Sequence, residues 1–159
     1  MLTFLILLSS FALLGASLVF NNAMLDSVTG DLDLEEGQND IRVALVMTNT
    51  TADTDEEAAT VSAISTLDEM DGANYARKTL SSQAVAIDTT NDRIEFDCED
   101  LTWTALGNGT RAIQGLLLLK HVTNDTDSVP IAFIEFASSQ NPGGSDFTVT
   151  IDAEGLLQI

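Results

Sequence analysis

Beyond residue 25 the sequence consists of short apolar runs separated by Asp, Asn, Thr and Gly, and this pattern constrains the fold more than any other feature. Runs of this length between turn-forming residues predict strands, and helical periodicity is scarce. Alternation is clearest in Phe147-Thr148-Val149-Thr150-Ile151, where the apolar residues would face a core and the threonines would face solvent. Seven strands are predicted, at residues 41–47, 84–88, 93–96, 101–104, 113–121, 130–136 and 147–151.

Seven short strands with turns between them predict an all-β fold, either an antiparallel β-sandwich or a partly closed barrel. The chain of 159 residues is long enough for one such domain with a real core and too short for two ordinary ones. Alternation within the strands predicts a set of mostly buried side chains, namely Val43, Leu45, Ile94, Phe96, Trp103, Phe133, Val149 and Ile151.

One predicted strand does not alternate. Leu116 to Leu119 are four consecutive leucines after Gly115, a run too short for a typical buried helix, which favours a central strand covered on both faces. Asn91-Asp92 is typical of a hairpin tip. The loops at residues 107–109 and 142–144 contain two glycines each, which makes them permissive loops able to adopt positive φ.

Residues 48–71 interrupt the strand series with a polar, acidic stretch that is poor in aromatic residues. Loops of this length are usually functional or mobile, so this segment is expected to be a surface loop and the first site of limited proteolysis. Residues 56–64 are a possible short helix within it.

The first 25 residues contain no charged side chain. We assign residues 1–25 to an apolar, possibly helical N-terminal arm and residues 26–159 to a single β-rich domain. Three interpretations of the arm remain open: a segment buried against neighbouring subunits, a secretory signal or membrane anchor without the usual cationic start, and a start codon assigned too early, with Met24 as the alternative.

The first cation of the chain is Arg42, so the apolar segment lacks the flanking Lys or Arg that usually fixes a span in a membrane. We therefore expect residues 1–20 to contact protein and not to span a bilayer in the working state. Their deletion is expected to leave the β-rich domain folded.

Charge restricts the possible partners. The chain has 25 Asp and Glu against 6 Lys and Arg, a formal net charge of -19. Only Arg77-Lys78 places two cations side by side, so direct binding to nucleic acid is not expected. Solubility or adaptation to salty water explains the acidity without any specific cationic partner.

The sequence offers no catalytic, cofactor-binding or metal-ligating set, and we predict that the chain is not an enzyme and has no cofactor. Cys98 alternates with apolar residues and is interpreted as a buried core thiol, and His121 as an ordinary histidine at a strand end. The acidic string at residues 31–37 lacks the glycine and glutamate spacing of a calcium loop and is interpreted as a solvated turn. Trp103 is expected in the core and not in a recognition pair with Arg111.

Six segments together resemble a family of small virion structural proteins of tailed phages and prophages: DIRVALV (40–46), GANYAR (72–77), NDRIEFD (91–97), LTW (101–103), PIAFI (130–134) and DAEGLL (152–157). The resemblance covers residues 20–159, and the apolar first twenty residues depart from the pattern. It implies a virion location, a multi-copy or homo-oligomeric assembly, and the major capsid protein or other virion subunits as partners. Such proteins decorate the head surface or form accessory parts of the tail.

The resemblance therefore favours a capsid decoration, or cement, protein that binds capsid subunits and stabilises the head. A tail or neck component is the alternative within the same class. A secreted or membrane-anchored surface module of a marine or halophilic microbe, located outside the cell, is the alternative from another class.

Overall fold

The computed structural model describes residues 11–12 and 18–158, in which strands predominate. The strands are β1 (Phe11–Ala12), β2 (Leu18–Val19), β3 (Asp40–Met47), β4 (Lys78–Thr79), β5 (Ala84–Asp88), β6 (Arg93–Asp97), β7 (Leu101–Leu106), β8 (Ile113–His121), β9 (Val129–Gln140), β10 (Ser145–Thr150) and β11 (Leu157–Gln158). The α-helix α1 spans Asn21–Thr29, and a 3₁₀ turn spans Val61–Ala63. All seven predicted strands are present, with bounds that differ from the predicted ones by four residues at most.

The strands form three sheets. A five-stranded sheet has the order β2-β9-β8-β3-β4, and two three-stranded sheets have the orders β1-β10-β7 and β11-β6-β5. Every described strand pair is antiparallel except the short parallel pair of β1 with β10. None of these sheets closes on itself within the described residues, so the fold is the predicted all-β class in its sandwich form.

The main core lies between the five-stranded sheet and the two smaller sheets. The large sheet contributes buried side chains from β3, β8 and β9, and the smaller sheets contribute buried aromatic and aliphatic side chains that face them. The central members of this inner core are Val43, Leu45, Leu116, Leu118, Ile134, Phe96, Trp103, Phe147 and Val149. The indole of Trp103 lies 6.2 Å from the ring of Phe147, centroid to centroid, in a tilted arrangement.

The second face of the five-stranded sheet is also covered. Leu117 and Leu119 of β8 and Phe133 of β9 pack there in an outer cluster with Phe20 and with buried residues of segment 48–71. Strand β8 therefore has apolar side chains on both faces, which explains its unbroken leucine run and confirms the predicted central strand.

Segment 48–71 differs from its predicted form. It lacks regular strands and contains only the 3₁₀ turn, as its composition predicts, but it is not a detached surface loop. Ala52, Val61 and Ile64 are at most 5% exposed and form much of the outer cluster. The short apolar residues scattered among Thr and Asp were the signal for this packing, although they follow no period.

Six of the eight predicted core residues are buried and Ile151 is half-buried, but Ile94 is 46% exposed. The prediction for Ile94 was wrong because the hairpin of β5 and β6 extends past the core. Phe96 lies within the core at the base of this hairpin, whereas Ile94, on the same face of β6, lies beyond it. The predicted hairpin tip is correct, and Asp92 adopts a φ of 55° there.

The end of the predicted N-terminal arm is joined to the β-rich part. Leu18 and Val19 pair with β9, and the side chain of Phe20 is fully buried in the outer cluster. A deletion of residues 1–20 would therefore remove core contacts as well as the apolar segment. A deletion that tests the segment alone must end at residue 10; residues 1–10 and 13–17 lie outside the described residues.

The two predicted glycine loops use their glycines for different reasons. Gly143 and Gly144 have positive φ, as expected. The glycines of the loop at 107–109 do not, and they permit close approach instead: a Cβ on Gly109 would lie 2.6 Å from the Met47 sulfur. This loop thus depends on small size and not on a left-handed backbone.

Packing of segment 48–71 predicts that it resists proteolysis as well as the strands do. We expect Val61→Asp to open the segment, because it buries a carboxylate in the outer cluster, and to make it the first site of cleavage. Limited proteolysis followed by mass spectrometry measures this. Ala63→Asp is the matched control, since Ala63 is exposed in the same 3₁₀ turn. Early cleavage of the unmodified chain within residues 48–71 would contradict the packing.

Candidate interaction surface

Helix α1 begins directly after the buried Phe20 and ends at Thr29, with Gly30 as its C-terminal cap. Gly30 adopts a left-handed φ of 85°, and its backbone N–H donates to the Asp26 carbonyl at 3.0 Å. Neither a side-chain cap at the first turn nor a basic residue in the last turn stabilises the helix. A helix of nine residues is marginal alone, so α1 depends on its tertiary contacts.

Those contacts hold α1 at both ends. The N–H of Asn21 donates to the Glu56 carbonyl, and the Asn21 side-chain amide donates to Glu57 Oε1 at 2.7 Å. Further along, Lys120 Nζ of β8 lies 3.0 Å from Asp26 Oδ2 and side chains of both residues are mostly buried. The ion pair also neutralises the only carboxylate of the helix.

The apolar residues of α1 are directed mainly to the outside. Only Ala23 is buried, whereas Met24 is 48%, Leu25 58% and Val28 87% exposed. Met24 and Val28 are four residues apart and therefore share one face of the helix. We call Met24, Leu25 and Val28 together the α1 surface.

A groove of about 220 Å³ adjoins the α1 surface. Its lining is almost entirely apolar and comes from the helix, the segment that follows it, and strands β2, β9 and β11: Val19, Ala23, Met24, Ser27, Val28, Leu32, Leu34, Ile131 and Leu157. The hydroxyl of Ser27 donates to the Ala23 carbonyl at 2.8 Å, so the helix backbone already satisfies it. The groove is suited to apolar side chains and offers no charged group to a ligand.

A network of ion pairs centred on Arg77 joins segment 48–71 to the loop between β8 and β9. The Arg77 guanidinium donates to Glu69 Oε2 at 2.6 Å and to Asp125 Oδ2 at 2.9 Å, bridging segment 48–71 and the β8–β9 loop. The Tyr75 hydroxyl donates to Glu69 and accepts from the N–H of Leu45 at 3.1 Å. Burial, followed by the charge of Glu69, raises the pKa of Tyr75 well above its usual value, so this hydroxyl stays protonated and remains a donor.

The candidate thiol has the properties of a core residue. Cys98 is 8% exposed, and burial, with smaller contributions from Asp97 and Asp100, raises its pKa to about 12. The thiolate is the nucleophilic form of cysteine, so this side chain is unreactive at neutral pH. Its placement agrees with the interpretation as a small core residue.

His121 lies at the end of β8, and its Nδ1 is 3.3 Å from Ser128 Oγ. This pair resembles part of a catalytic arrangement, but the Ser128 hydroxyl donates to the Asn124 carbonyl at 2.8 Å and accepts from the N–H of Val122. Ser128 is fully buried, so its oxygen has no open side for a substrate. The pair stabilises the β8–β9 turn.

The acidic string at 31–37 directs its carboxylates to separate partners. Asp31 accepts from the Thr29 hydroxyl at 2.9 Å, and Glu36 accepts from the Gln83 N–H at 2.7 Å. These groups hold turns together and do not converge on a point, in agreement with the interpretation as a turn.

Carboxylates converge elsewhere, at a place that the sequence did not indicate. Oxygens of Asp88, Glu95 and Glu154 lie within 4.8 Å of one another, but the Arg93 guanidinium is paired with all three. These three carboxylates therefore already have a cationic partner, the Arg93 guanidinium. Sequence separation of about sixty residues between Arg93 and Glu154 hides this contact from any local pattern.

Trp103 and Arg111 have different partners. The Trp103 indole N–H donates to the Ala76 carbonyl at 2.8 Å, and its ring is buried with Lys78 Nζ 5.6 Å from the centroid. Arg111 is paired with Asp68. Trp103 is therefore a core residue, as predicted, and the two form no recognition pair.

Among the described residues no helix is long and apolar enough to cross a membrane. A scan against protein-family models finds no match to the chain, and a search of curated proteins finds none either. Because neither comparison indicates a function, the α1 surface and its groove are the features from which a function is inferred. Sequence analysis placed residues 21–25 in the arm and missed the surface, although Met24, Leu25 and Val28 at helical spacing were its signal.

Removal of the Arg77 charge is expected to destabilise the fold. Arg77→Met would leave two carboxylates facing each other on partly exposed side chains, so we expect a loss of about 1–3 kcal/mol in the free energy of unfolding, less than for a fully buried pair. Urea denaturation measures it. Arg42→Met is the matched control, because the Arg42–Asp40 pair is more exposed and its loss should cost about 1 kcal/mol or less. Equal losses in both variants would contradict the role of the network.

The same network gives a pH dependence. The hydrogen bond from Arg77 holds the pKa of Asp125 below its usual value, so its stabilisation is complete above the unfolded pKa and is lost as pH falls through the lowered one. The difference in unfolding free energy between the unmodified chain and Arg77→Met should be constant from about pH 7 to pH 5 and shrink below about pH 4. A difference that stays constant through the acid range would contradict this coupling.

Proposed function

We propose that this chain is a non-enzymatic structural protein of a tailed-phage virion, a decoration protein that binds major capsid subunits on the head surface and stabilises the shell. The observation that carries the proposal is the α1 surface, three exposed apolar side chains beside an apolar groove on a chain of net charge -19. The resemblance of residues 20–159 to small phage structural proteins supports the choice of the virion.

The energetics of the α1 surface suit a contact that is repeated many times. Complete burial of one large aliphatic side chain contributes roughly 1.5–3 kcal/mol, so three of them give a weak individual contact after the cost of association. A copy that bridges two capsid subunits binds the second subunit at a raised effective concentration. Many weak contacts of this kind together stabilise the lattice.

The acidic charge of the chain favours a partner contact that contains no charged side chains. Like-charged carboxylates over most of the surface stay hydrated and disfavour close approach of an acidic neighbour. At the α1 surface the single helix carboxylate, Asp26, is neutralised by Lys120. A partner can therefore cover this area without burying an unpaired charge.

The chemistry of the remaining polar groups supports a structural role. Cys98 is buried as a thiol, the Ser128 hydroxyl is engaged with backbone groups, and the three carboxylates around Arg93 are paired with its guanidinium. These groups stabilise the scaffold instead of facing a substrate.

Location within purified particles tests the proposal. Antibody labelling of particles from the source organism should mark the heads, with a copy number comparable to that of the capsid subunits. Label confined to the tail or neck, at few copies per particle, would replace decoration by the tail alternative. Presence in the medium or cell envelope without particles would contradict the virion role and favour the surface-module alternative.

A charge within the α1 surface is expected to prevent incorporation. Val28→Glu changes the most exposed residue of the surface, so it should leave the fold intact and reduce copies per particle at least about tenfold, because binding would then bury a carboxylate. Quantitative mass spectrometry of particles measures the ratio. Val122→Glu is the matched control, since Val122 is 56% exposed and does not line the groove. Normal incorporation of Val28→Glu would exclude the α1 surface as the contact.

A further inference from the structure

A second uncovered apolar area lies on the hairpin of β5 and β6. Strand β5 is the edge of its sheet, paired with β6 on one side, and no described strand pairs with its other side. The register between the two strands runs from the Ala84–Asp97 pair to the Asp88–Arg93 pair without a bulge. The free backbone edge is thus regular over five residues.

The first four residues of this edge strand carry none of the features that usually protect an exposed strand. Residues 84–87 read Ala-Val-Ala-Ile, with no charge and no proline. All four are exposed, and Val85, Ile87 and Ile94 are 37%, 75% and 46% exposed on one face of the hairpin. Soluble proteins normally block such edges with lysine, proline or a bulge, so an unblocked edge is suited to pairing with another strand.

Ion pairs and a capped turn hold the hairpin in this form. Arg93 pairs with Asp88 across the two strands and with Glu95 on the same strand. At the tip the Asp88 carboxylate accepts from the N–H of Thr90 at 2.8 Å and from the N–H of Asn91 at 3.2 Å. A strand held in its extended shape loses little entropy when it pairs.

We propose that two copies of this chain pair through β5, antiparallel about a two-fold axis at Ala86, and so join their β11-β6-β5 sheets into one sheet of six strands. In this register Val85 lies opposite Ile87 of the second copy, and Ala84 lies opposite its Asp88. All five residues of each strand are paired, and the two apolar faces become one continuous surface.

Charge at this edge does not prevent pairing with a second copy. Two chains of net charge -19 repel, but four of the five residues of β5, Ala84 to Ile87, are uncharged, and each Asp88 is paired with Arg93 of its own chain. The two Asp88 carboxylates of the dimer would be four residues apart along the strands, about 13 Å, which exceeds the Debye length of about 8 Å at physiological salt. The register thus avoids direct opposition of like charges.

The dimer goes beyond the proposed virion role and is tested apart from it. Sedimentation equilibrium of the full chain should give a dimer, with a dissociation constant that falls as NaCl rises to about 1 M, where screening extends to roughly 3 Å. Ile87→Asp should weaken the dimer at least about tenfold, because it places a carboxylate directly opposite the apolar Val85 of the second copy. Val122→Asp, the same change at another exposed residue, should not.

Cross-linking tests the register. In the proposed pairing the Ala86 Cα atoms of the two copies are directly opposite, about 4.5–5.5 Å apart, within the range that a disulfide spans. Ala86→Cys should therefore form a covalent dimer under mild oxidation. Ala137→Cys, at an exposed position of β9, should not, and the buried Cys98 should stay reduced in both.

A monomer at both low and high salt would overturn the proposal, even if the edge then bound a strand from another protein. So would a dimer that Ile87→Asp leaves unchanged, or equal cross-linking of Ala86→Cys and Ala137→Cys. Particle incorporation by Val28→Glu does not depend on these results, so failure of the dimer and failure of the virion role are distinguishable.

Discussion

Burial of both faces of β8 is the constraint on which the structure depends. A strand with apolar side chains on both sides needs a covering layer on each, because an exposed face of leucines would associate with other chains. The two small sheets cover one face, and segment 48–71 with Phe20 covers the other. Segment 48–71 covers this face with scattered apolar side chains, and it does so without forming a regular strand or an α-helix.

The scarcity of cations is the second constraint. Each of the six Lys and Arg residues has an intramolecular partner: Arg42 with Asp40, Arg77 with Glu69 and Asp125, Lys78 over Trp103, Arg93 with the Asp88 cluster, Arg111 with Asp68, and Lys120 with Asp26. Five of the six cations have a partner that is distant in sequence, whereas Arg42 pairs with Asp40 on the same strand. The outer surface is then left acidic, which would favour uncharged areas for close contact with a partner.

Much of the fold could be predicted because local alternation and turn residues determine strands. The seven strands of five or more residues, the hairpin tip and the double-sided leucine strand all follow from patterns within ten residues, whereas the four two-residue strands were not predicted. The predictions that were wrong concerned where a residue lies relative to the core in three dimensions. Ile94 alternates correctly but lies where the sheet has passed the core, and the buried residues of segment 48–71 follow no period.

The candidate surface was hidden for a related reason. Sequence analysis treated the apolar residues up to residue 25 as one segment, because it could not distinguish Phe20, which is buried, from Met24 and Leu25, which are exposed. Burial depends on which neighbours the chain folds against, and those neighbours, Glu56 and β9 among them, are distant in sequence.

The two uncovered apolar areas are compatible with simultaneous use. The groove beside α1 reaches β11 through Leu157, whereas β5 is the opposite edge of the same sheet, two strand spacings or about 10 Å away. A dimer through β5 would therefore leave both α1 surfaces free. It would present two weak apolar contacts on one rigid body, and the second contact would form at the effective concentration set by the first. For an acidic chain whose individual contacts are small, such pairing would convert a marginal affinity for a repeating lattice into a stable one without adding any charge.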